Sequence, residues 1–249
     1  MNTSVLFGFP KFLRDIQKRE KPDLLGVALD PKGGCFRCDL YPEYKANRPA
    51  TPEDIIASVP YLRRLLKAMR IPVYEIEGFE ADDVIGTLAH KASAEGYEVY
   101  MVTPDKDYGQ LVSETTFIYR PKYGDKEFEV MGVERVKEKF GIQATSQVID
   151  LLGLMGDSSD NIPGCPGVGE KTAQKLIAQF GSIENMLANT SELKGALKTK
   201  VEENKEKILF SKFLATIKTD VPIQLDMELL KREAPNEEEL SALFSFYEL

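Results

Sequence analysis

Short apolar runs alternate with helical patterns through the first half of this chain. The apolar runs cover residues 24–30, 72–76 and 97–103, and the helical patterns cover 4–19, 51–70 and 80–94. Strands that alternate with helices pair in parallel, because each helix carries the chain back across the sheet to begin the next strand. The first half therefore predicts an α/β fold with a mostly parallel sheet covered by helices.

The second half changes character at about Gly132, where helices joined by short glycine-containing turns begin. Two weak strands, 117–120 and 127–130, mark the crossing. Between Gly167 and Lys218 there are nine Lys against six Glu, whereas the whole chain carries a net charge of −8. We expect two domains, covering residues 1–131 and 132–249, which suits a length of 249 residues.

The side chains available for catalysis are mainly carboxylates. The chain has 40 Asp and Glu, 32 Lys and Arg, and one histidine, His90. A single histidine argues against His-rich metal sites and His-centred catalytic triads. The negative charge argues against a polyanionic partner, unless carboxylates hold divalent cations that reverse the local field.

Acidic residues recur where the predicted strands end. They are Asp30 after the first run, Glu80, Asp82 and Asp83 after the second, Asp105 and Asp107 after the third, and Asp157 and Asp160 in the helical half. Any one segment has a plainer explanation, since acids complement helix dipoles and stabilise turns. Four segments together indicate a shared site, because the carboxyl ends of parallel strands meet at one crevice.

So many carboxylates repel one another unless cations hold them. An all-oxygen ligand set selects Mg²⁺ or Mn²⁺ over zinc. Two such ions about 4 Å apart can clamp the attacking and leaving oxygens of a phosphoryl group. The pattern predicts hydrolysis of a phosphate ester by metal-activated water. A haloacid-dehalogenase-like phosphatase is a rival interpretation, but that family normally places its first motif near the N-terminus and has no use for the acids at 80–83.

Two basic motifs suit a nucleic-acid backbone. In the first, paired glycines precede the start of a helix, whose free backbone N–H groups suit a phosphate. This pattern is typical of a helix–hairpin–helix motif, which binds the nucleic-acid backbone without reading its sequence. The candidate DNA-binding residues are Gly164, Gly167, Val168, Gly169, Lys171, Thr172 and Lys175. Lys45 and Arg48, on a segment expected to be mobile between Asp30 and Thr51, are candidate contacts to the scissile phosphate.

Five motifs occur in a specific order: YKANR at 44–48, EADDVIG at 80–86, TPDKD at 103–107, GDSSDNIPG at 156–164 and GVGEKTA at 167–173. With them the chain resembles the 5′→3′ exonuclease domain of bacterial DNA polymerase I, within the flap endonuclease family. The resemblance covers nearly the whole chain. It implies a PIN-like sheet, a helical arch and a helix–three-turn–helix element that binds DNA.

The resemblance also implies activity and ligands. It implies Mg²⁺-dependent cleavage of 5′ flaps and nicked duplex, with release of RNA primers in replication and repair. By motif, Asp30, Glu80 and Asp82 would serve one ion, Asp105, Asp107 and Asp160 a second, and Asp83 and Asp157 would support them. Lys45 and Arg48 would contact the phosphate, and the hairpin would hold duplex DNA, often with a K⁺ ion.

Two departures from the family pattern lead to further expectations. Members begin with an apolar strand that ends in a metal-binding Asp, whereas Met1 here falls at the following helix. One ligand and one core strand are therefore expected to be missing, which leaves open a DNA-binding fragment that does not cut, or an oligomer in which a partner fills the strand position. No polymerase portion follows Leu249, so we expect an excised fragment of a polymerase.

The cysteines and the apolar segments indicate the cellular compartment in which the chain works. Three cysteines suit a reducing, cytoplasmic compartment, and no apolar run approaches the length of a membrane span or a signal peptide. Cys35 and Cys38 have the spacing of a metal or redox pair. A zinc site needs four ligands, and only Cys165 and His90 remain, which argues against such a role.

Overall fold

The computed structural model of the chain describes residues 4–122 and 127–247. Its strands form two small sheets. Strands β1 (Val27–Ala28) and β2 (Val73–Tyr74) pair in parallel, and β3 (Val99–Val102) pairs in parallel with β4 (Thr116–Pro121), which pairs antiparallel with β5 (Phe128–Met131). The predicted mostly parallel α/β arrangement is confirmed, although the sheet is divided between these two groups.

The first predicted strand is shorter than its apolar run. Leu24 forms an isolated antiparallel bridge with Lys231, and Leu25 donates a backbone hydrogen bond to Leu230 at 2.9 Å. Only Val27 and Ala28 pair with β2. The run is divided because its first residues pair with a distant part of the chain, which local periodicity does not report.

Twelve α-helices lie in the described residues. In the first half they are α1 (Phe9–Glu20, preceded by a π-helical segment, Ser4–Gly8), α2 (Phe36–Leu40), α3 (Glu53–Ala68) and α4 (Ala81–Ala94). In the second half they are α5 (Val133–Phe140), α6 (Val148–Met155), α7 (Glu170–Phe180), α8 (Ile183–Ala188), α9 (Gly195–Glu203), α10 (Lys205–Ala215), α11 (Met227–Leu230) and α12 (Glu237–Phe246). None combines the length and apolarity that a membrane crossing requires.

Two apolar clusters hold these layers together. The larger one joins β4 and β5, through Ile118 and Met131, to the buried helix α6, through Leu151 and Leu152. The smaller one packs α3 against α1 and α12. Because the larger core contains residues from both halves of the chain, the expected domain division at 131/132 remains a prediction.

Candidate active site

Acidic side chains from three separate segments line one cavity. They come from the start of α4 (Glu80 and Asp82), from the turn after β3 (Asp105 and Asp107) and from the loop before the glycine hairpin (Asp160). Arg37 and Tyr44 line the same cavity, and the end of α10 closes it with Leu214 and Ala215. Five of the eight predicted acids therefore lie together at the strand ends.

The other three acids do not line this cavity. Asp30 accepts a hydrogen bond from the backbone N–H of Ala81 at 2.8 Å and so supports the start of α4. Asp157 holds its own turn, since its Oδ1 accepts hydrogen bonds from the backbone N–H and the hydroxyl of Ser159. The metal-binding role of Asp30 and the supporting role of Asp157 stay predictions.

Asp83 lies behind the cavity wall. Its side chain is fully buried, and both carboxylate oxygens pair with the guanidinium of Arg37 at 2.8 Å. Asp83 also accepts backbone hydrogen bonds from Glu80 and Lys218. These contacts support the site from behind, and a role of Asp83 at the metal site stays a prediction.

Arg37 links three parts of the chain around this carboxylate. Besides Asp83 it contacts Glu80 at 2.6 Å and donates to the carbonyl oxygens of Leu214 and Thr216 at 3.0 and 2.7 Å. The Arg37 side chain is 3% exposed. Sequence patterns did not single out Arg37, because its partners lie far away along the chain.

Glu80 is surrounded by donors. In addition to Arg37, the Tyr44 hydroxyl lies 3.1 Å from its Oε2, and the Lys45 ammonium forms an ion pair with its Oε1. Burial with the nearby Glu80 carboxylate raises the pKa of the Tyr44 phenol, so Tyr44 remains a donor. These contacts hold the Glu80 carboxylate at the cavity wall.

Two further acids show the electrostatic strain of the cavity. Burial, with smaller contributions from neighbouring carboxylates, raises the pKa of Asp82 to about 6 and that of Asp107 to about 7. The Tyr108 hydroxyl donates to Asp82 and opposes part of that shift. Oδ1 of Asp107 is buried without a hydrogen-bond partner. The Lys106 ammonium lies 4.0 Å from this oxygen. A buried carboxylate oxygen that accepts no hydrogen bond, among other acids, suits a hard divalent cation.

The carboxylates are nevertheless spread apart in this chain. Within residues 4–122 and 127–247, no three acidic, histidine or cysteine side chains form a ready-made metal cage. The acids pair with cations instead of with each other: Glu80 with Lys45, and Asp160 with Arg48. Like charges separate when side-chain cations satisfy them individually.

The basic segment 43–48 lies against the acidic loop. Lys45 donates from its backbone N–H to the carbonyl of Asp160 at 2.9 Å, and Arg48 donates from Nε to that of Ser159 at 3.1 Å. Asn47 reaches the carbonyl of Ser158 at 2.7 Å. The segment expected to be mobile is therefore attached to the acidic loop at its basic end.

The residues of the predicted hairpin divide into buried ones and exposed or half-buried ones. Gly164 and Val168 are buried, and Gly164 packs directly on Gly156. Both face the protein interior, and their role as DNA contacts stays a prediction. Gly167, Gly169, Lys171 and Lys175 are exposed, and Thr172 is half-buried, so these residues remain available to a ligand.

Comparison with known proteins agrees with this arrangement. The N-terminal resolvase-like domain of the 5′-3′ exonuclease family matches residues 1–141, and the C-terminal SAM fold of the same family matches residues 143–238. DNA polymerase I of Bacillus caldotenax is 43% identical over 245 residues, which are 98% of this chain and 28% of that protein. The chain thus spans about a quarter of the length of this relative.

Solved structures share the fold. The T5 5′-exonuclease, in a structure described as having divalent metal ions (zinc) bound, superposes with a TM-score of 0.73 at 20% identity, over 96% of this chain and 90% of that one. The catalytic core of Rad2 in complex with a DNA substrate superposes with a TM-score of 0.63 at 17% identity, over 99% of this chain and 79% of that one. At these identities the likeness establishes the fold alone.

Proposed function

Because this chain belongs to the 5′-3′ exonuclease family, we propose that it is the nuclease portion of a DNA polymerase I and hydrolyses phosphodiester bonds near the 5′ end of a DNA strand. Its substrates would be 5′ flaps, nicked duplex and RNA primers. One observation carries the proposal: five carboxylates from three segments line a single cavity, and one of their buried oxygens accepts no hydrogen bond.

Divalent cations are the proposed cofactors. Glu80, Asp82, Asp105, Asp107 and Asp160 would hold them, and an all-oxygen donor set favours Mg²⁺ or Mn²⁺. The structurally similar T5 5′-exonuclease binds divalent metal ions. Bound ions of this kind neutralise phosphate charge and lower the pKa of a coordinated water, and two of them would serve the attacking and leaving oxygens.

Lys45 and Arg48 would bind the scissile phosphate. They are the cations paired with cavity acids Glu80 and Asp160, so a phosphate drawn to this edge meets an ammonium and a guanidinium. A guanidinium binds two phosphate oxygens side by side, and an ammonium adds a compact charge. When substrate binds, contacts of Lys45 and Arg48 to the phosphate would replace their present contacts to the two carboxylates.

The outer residues of the hairpin would hold duplex DNA away from the cavity. Gly169 directly precedes α7 and has open space around it, and Lys171 and Lys175 add positive charge on the first turns of the helix. Backbone N–H groups at such a helix start suit phosphate. A K⁺ ion on hairpin carbonyl groups would complete the grip. Contacts of this kind fix position on DNA without reading sequence.

The decisive test is cleavage of a labelled 5′-flap DNA in Mg²⁺ or Mn²⁺, with a parallel gel shift in Ca²⁺. We expect cation-dependent cutting that Asp105→Ala lowers by at least about a hundredfold, the scale of losing one electrostatic group from an active site. Asp105 is exposed, so the variant should fold. Binding without cutting would favour a DNA-binding module, and phosphomonoester hydrolysis without DNA cutting would favour a phosphatase.

A double variant, Lys171→Ala with Lys175→Ala, separates binding from chemistry. We expect weaker duplex binding at every sequence and a salt slope of log K smaller by about 2, because each phosphate contact releases about one counterion. Lys11→Ala, on α1 and paired with Asp15, is the matched control. Equal effects of the two variants would contradict the assignment of the hairpin.

A further inference from the structure

Cys35 and Cys38 bring two thiols together at the start of α2. Their sulfur atoms lie 3.9 Å apart, and both cysteines are free. The shortage of ligands that argues against zinc does not apply to a disulfide, which needs only a second sulfur. Residues three apart at a helix start have Cβ atoms about 5–6 Å apart, so a modest movement of this turn brings the sulfurs to bonding distance.

The two thiols differ in access to solvent. Cys35 is 5% exposed and packs in an apolar cluster with Tyr44, Ile162 and Leu214, whereas Cys38 is only half-buried. A small reagent from solution therefore reaches Cys38 first. Cys35 is then the neighbouring thiol that resolves any adduct formed there.

The residue enclosed by this pair is Arg37. Its guanidinium holds Glu80 at the cavity wall and Asp83 behind it. The turn that carries it is fixed on one side by a hydrogen bond from the Phe36 N–H to the Gly78 carbonyl at 2.9 Å. Drawing the two sulfurs from 3.9 Å to a covalent bond of about 2 Å tightens the turn around Arg37.

We propose that Cys35 and Cys38 form a reversible dithiol–disulfide site for small disulfides of the glutathione class, and that its closure slows the nuclease by displacing Arg37 from Glu80. The chemistry is balanced. The Cys38 thiolate attacks one sulfur of the small disulfide and releases one thiol. The Cys35 thiolate then attacks the mixed disulfide on Cys38 and releases the second. Two protein thiols are oxidised, and one small disulfide is reduced to two thiols.

The activity part of this inference rests on the proposed nuclease function, whereas the thiol part does not. The first measurement is therefore chemical. The chain is equilibrated with mixtures of reduced and oxidised glutathione, its remaining thiols are alkylated, and its peptides are analysed by mass spectrometry. We expect a Cys35–Cys38 disulfide in oxidising mixtures, with Cys165 still alkylated, and three alkylated cysteines after reduction.

The second measurement is flap cleavage by the same samples. Oxidation should lower the rate between about tenfold and about a hundredfold, the scale of an ångström-sized displacement in a catalytic site, and dithiothreitol should restore it. Cys38→Ser should keep its rate in the oxidising mixture. Cys165→Ser should still form the disulfide, which shows that the third cysteine is not involved.

The proposed dithiol site would be overturned if no mixture of reduced and oxidised glutathione produced the disulfide, or if a glutathione adduct persisted on Cys38. A disulfide that leaves the cleavage rate unchanged would overturn its coupling to Arg37. Lack of cleavage by the reduced chain would count against the nuclease function, and the peptide analysis would still decide whether the dithiol site exists.

Discussion

At the scale of single residues, Tyr108 decides how one carboxylate is presented. Tyr108 is 2% exposed in the core, and its hydroxyl donates to Oδ1 of Asp82. That hydrogen bond holds one oxygen of a carboxylate that lines the cavity. Groups that orient a ligand from behind in this way affect metal affinity or activity by about 10- to 100-fold.

We therefore expect Tyr108→Phe to raise the Mg²⁺ concentration needed for half-maximal cleavage by about tenfold or more, while the fold is retained because the ring still fills its place. Cleavage rates over a Mg²⁺ titration measure this. Tyr119→Phe is the matched control, because the Tyr119 hydroxyl contacts Arg19 and Glu20, which do not line the cavity. A control variant with the same shift would contradict the orienting role of Tyr108.

The raised pKa of Asp107 predicts how the free energy of unfolding depends on pH in the absence of divalent cations. Burial and the adjacent Asp105 raise its pKa to about 7, so the folded chain binds a proton that the unfolded chain releases at about pH 4. Its contribution to stability is therefore complete at acidic pH and is lost as pH rises toward and past 7.

Asp107→Asn removes this titration. In EDTA we expect the variant to gain stability relative to the parent chain between pH 4 and pH 8, by about 2 to 4 kcal/mol. Urea unfolding at both ends of that range measures the difference. Asp39→Asn, at an exposed position on α2, provides the control. A gain that is the same at pH 4 and pH 8 would show that Asp107 does not titrate in this range.

At the scale of elements, the acidic loop before the hairpin depends on one close approach of two glycines. Gly164 has a φ of +63°, and a Cβ added there would lie 2.4 Å from the backbone nitrogen of Gly156. The backbone N–H of Gly164 also donates to the Ser211 hydroxyl at 2.9 Å. This packing fixes the loop that carries Asp160 against α6 and α10.

Two Gly→Ala variants separate backbone strain from crowding. Gly195 has a similar φ of +60° but open space around it, so Gly195→Ala should cost about 1 to 2 kcal/mol from the left-handed conformation alone. Gly164→Ala should cost at least about 2 kcal/mol more, because the new methyl group must displace backbone. Urea denaturation measures the free energy of unfolding of both variants. Equal losses of stability would show that the loop shifts easily to make room for the methyl group.

At the scale of the whole molecule, Arg37 connects α2, the start of α4 and the end of α10. The pair with Asp83 is buried on both sides, with side chains 3% and 0% exposed. Removing one partner of a buried pair leaves a charge without solvent or counter-charge, which typically costs about 3 to 5 kcal/mol.

We expect Arg37→Ala to lower the free energy of unfolding by about that amount. Arg120→Ala is the matched control, since its pair with Glu129 at 2.7 Å is partly exposed, at 23% and 19%. Pairs of that kind contribute about 1 kcal/mol or less. Urea denaturation of both variants decides the point. A loss of similar size in each would mean that the Arg37 pair owes its strength to something other than burial.

Local sequence determined where helices and strands form and identified most of the acids that line the cavity. Helix α4 and strand β3 lie within one or two residues of their predicted bounds, because hydrophobic periodicity and helix-start residues act over neighbouring positions. The rule that acids after parallel strands converge also held for Glu80, Asp82, Asp105 and Asp107, which line one cavity, and Asp160 from the helical half joins them there.

Only the tertiary structure decided which acids face that cavity and which support it. Arg37 contacts Asp83, 46 positions away, and Leu214, 177 positions away, and no periodicity within the chain reports contacts at such separations. Burial and pairing of a carboxylate depend on these long-range neighbours. The sequence therefore determines which groups are available, whereas packing between distant segments decides which of them line the cavity and which are held behind it.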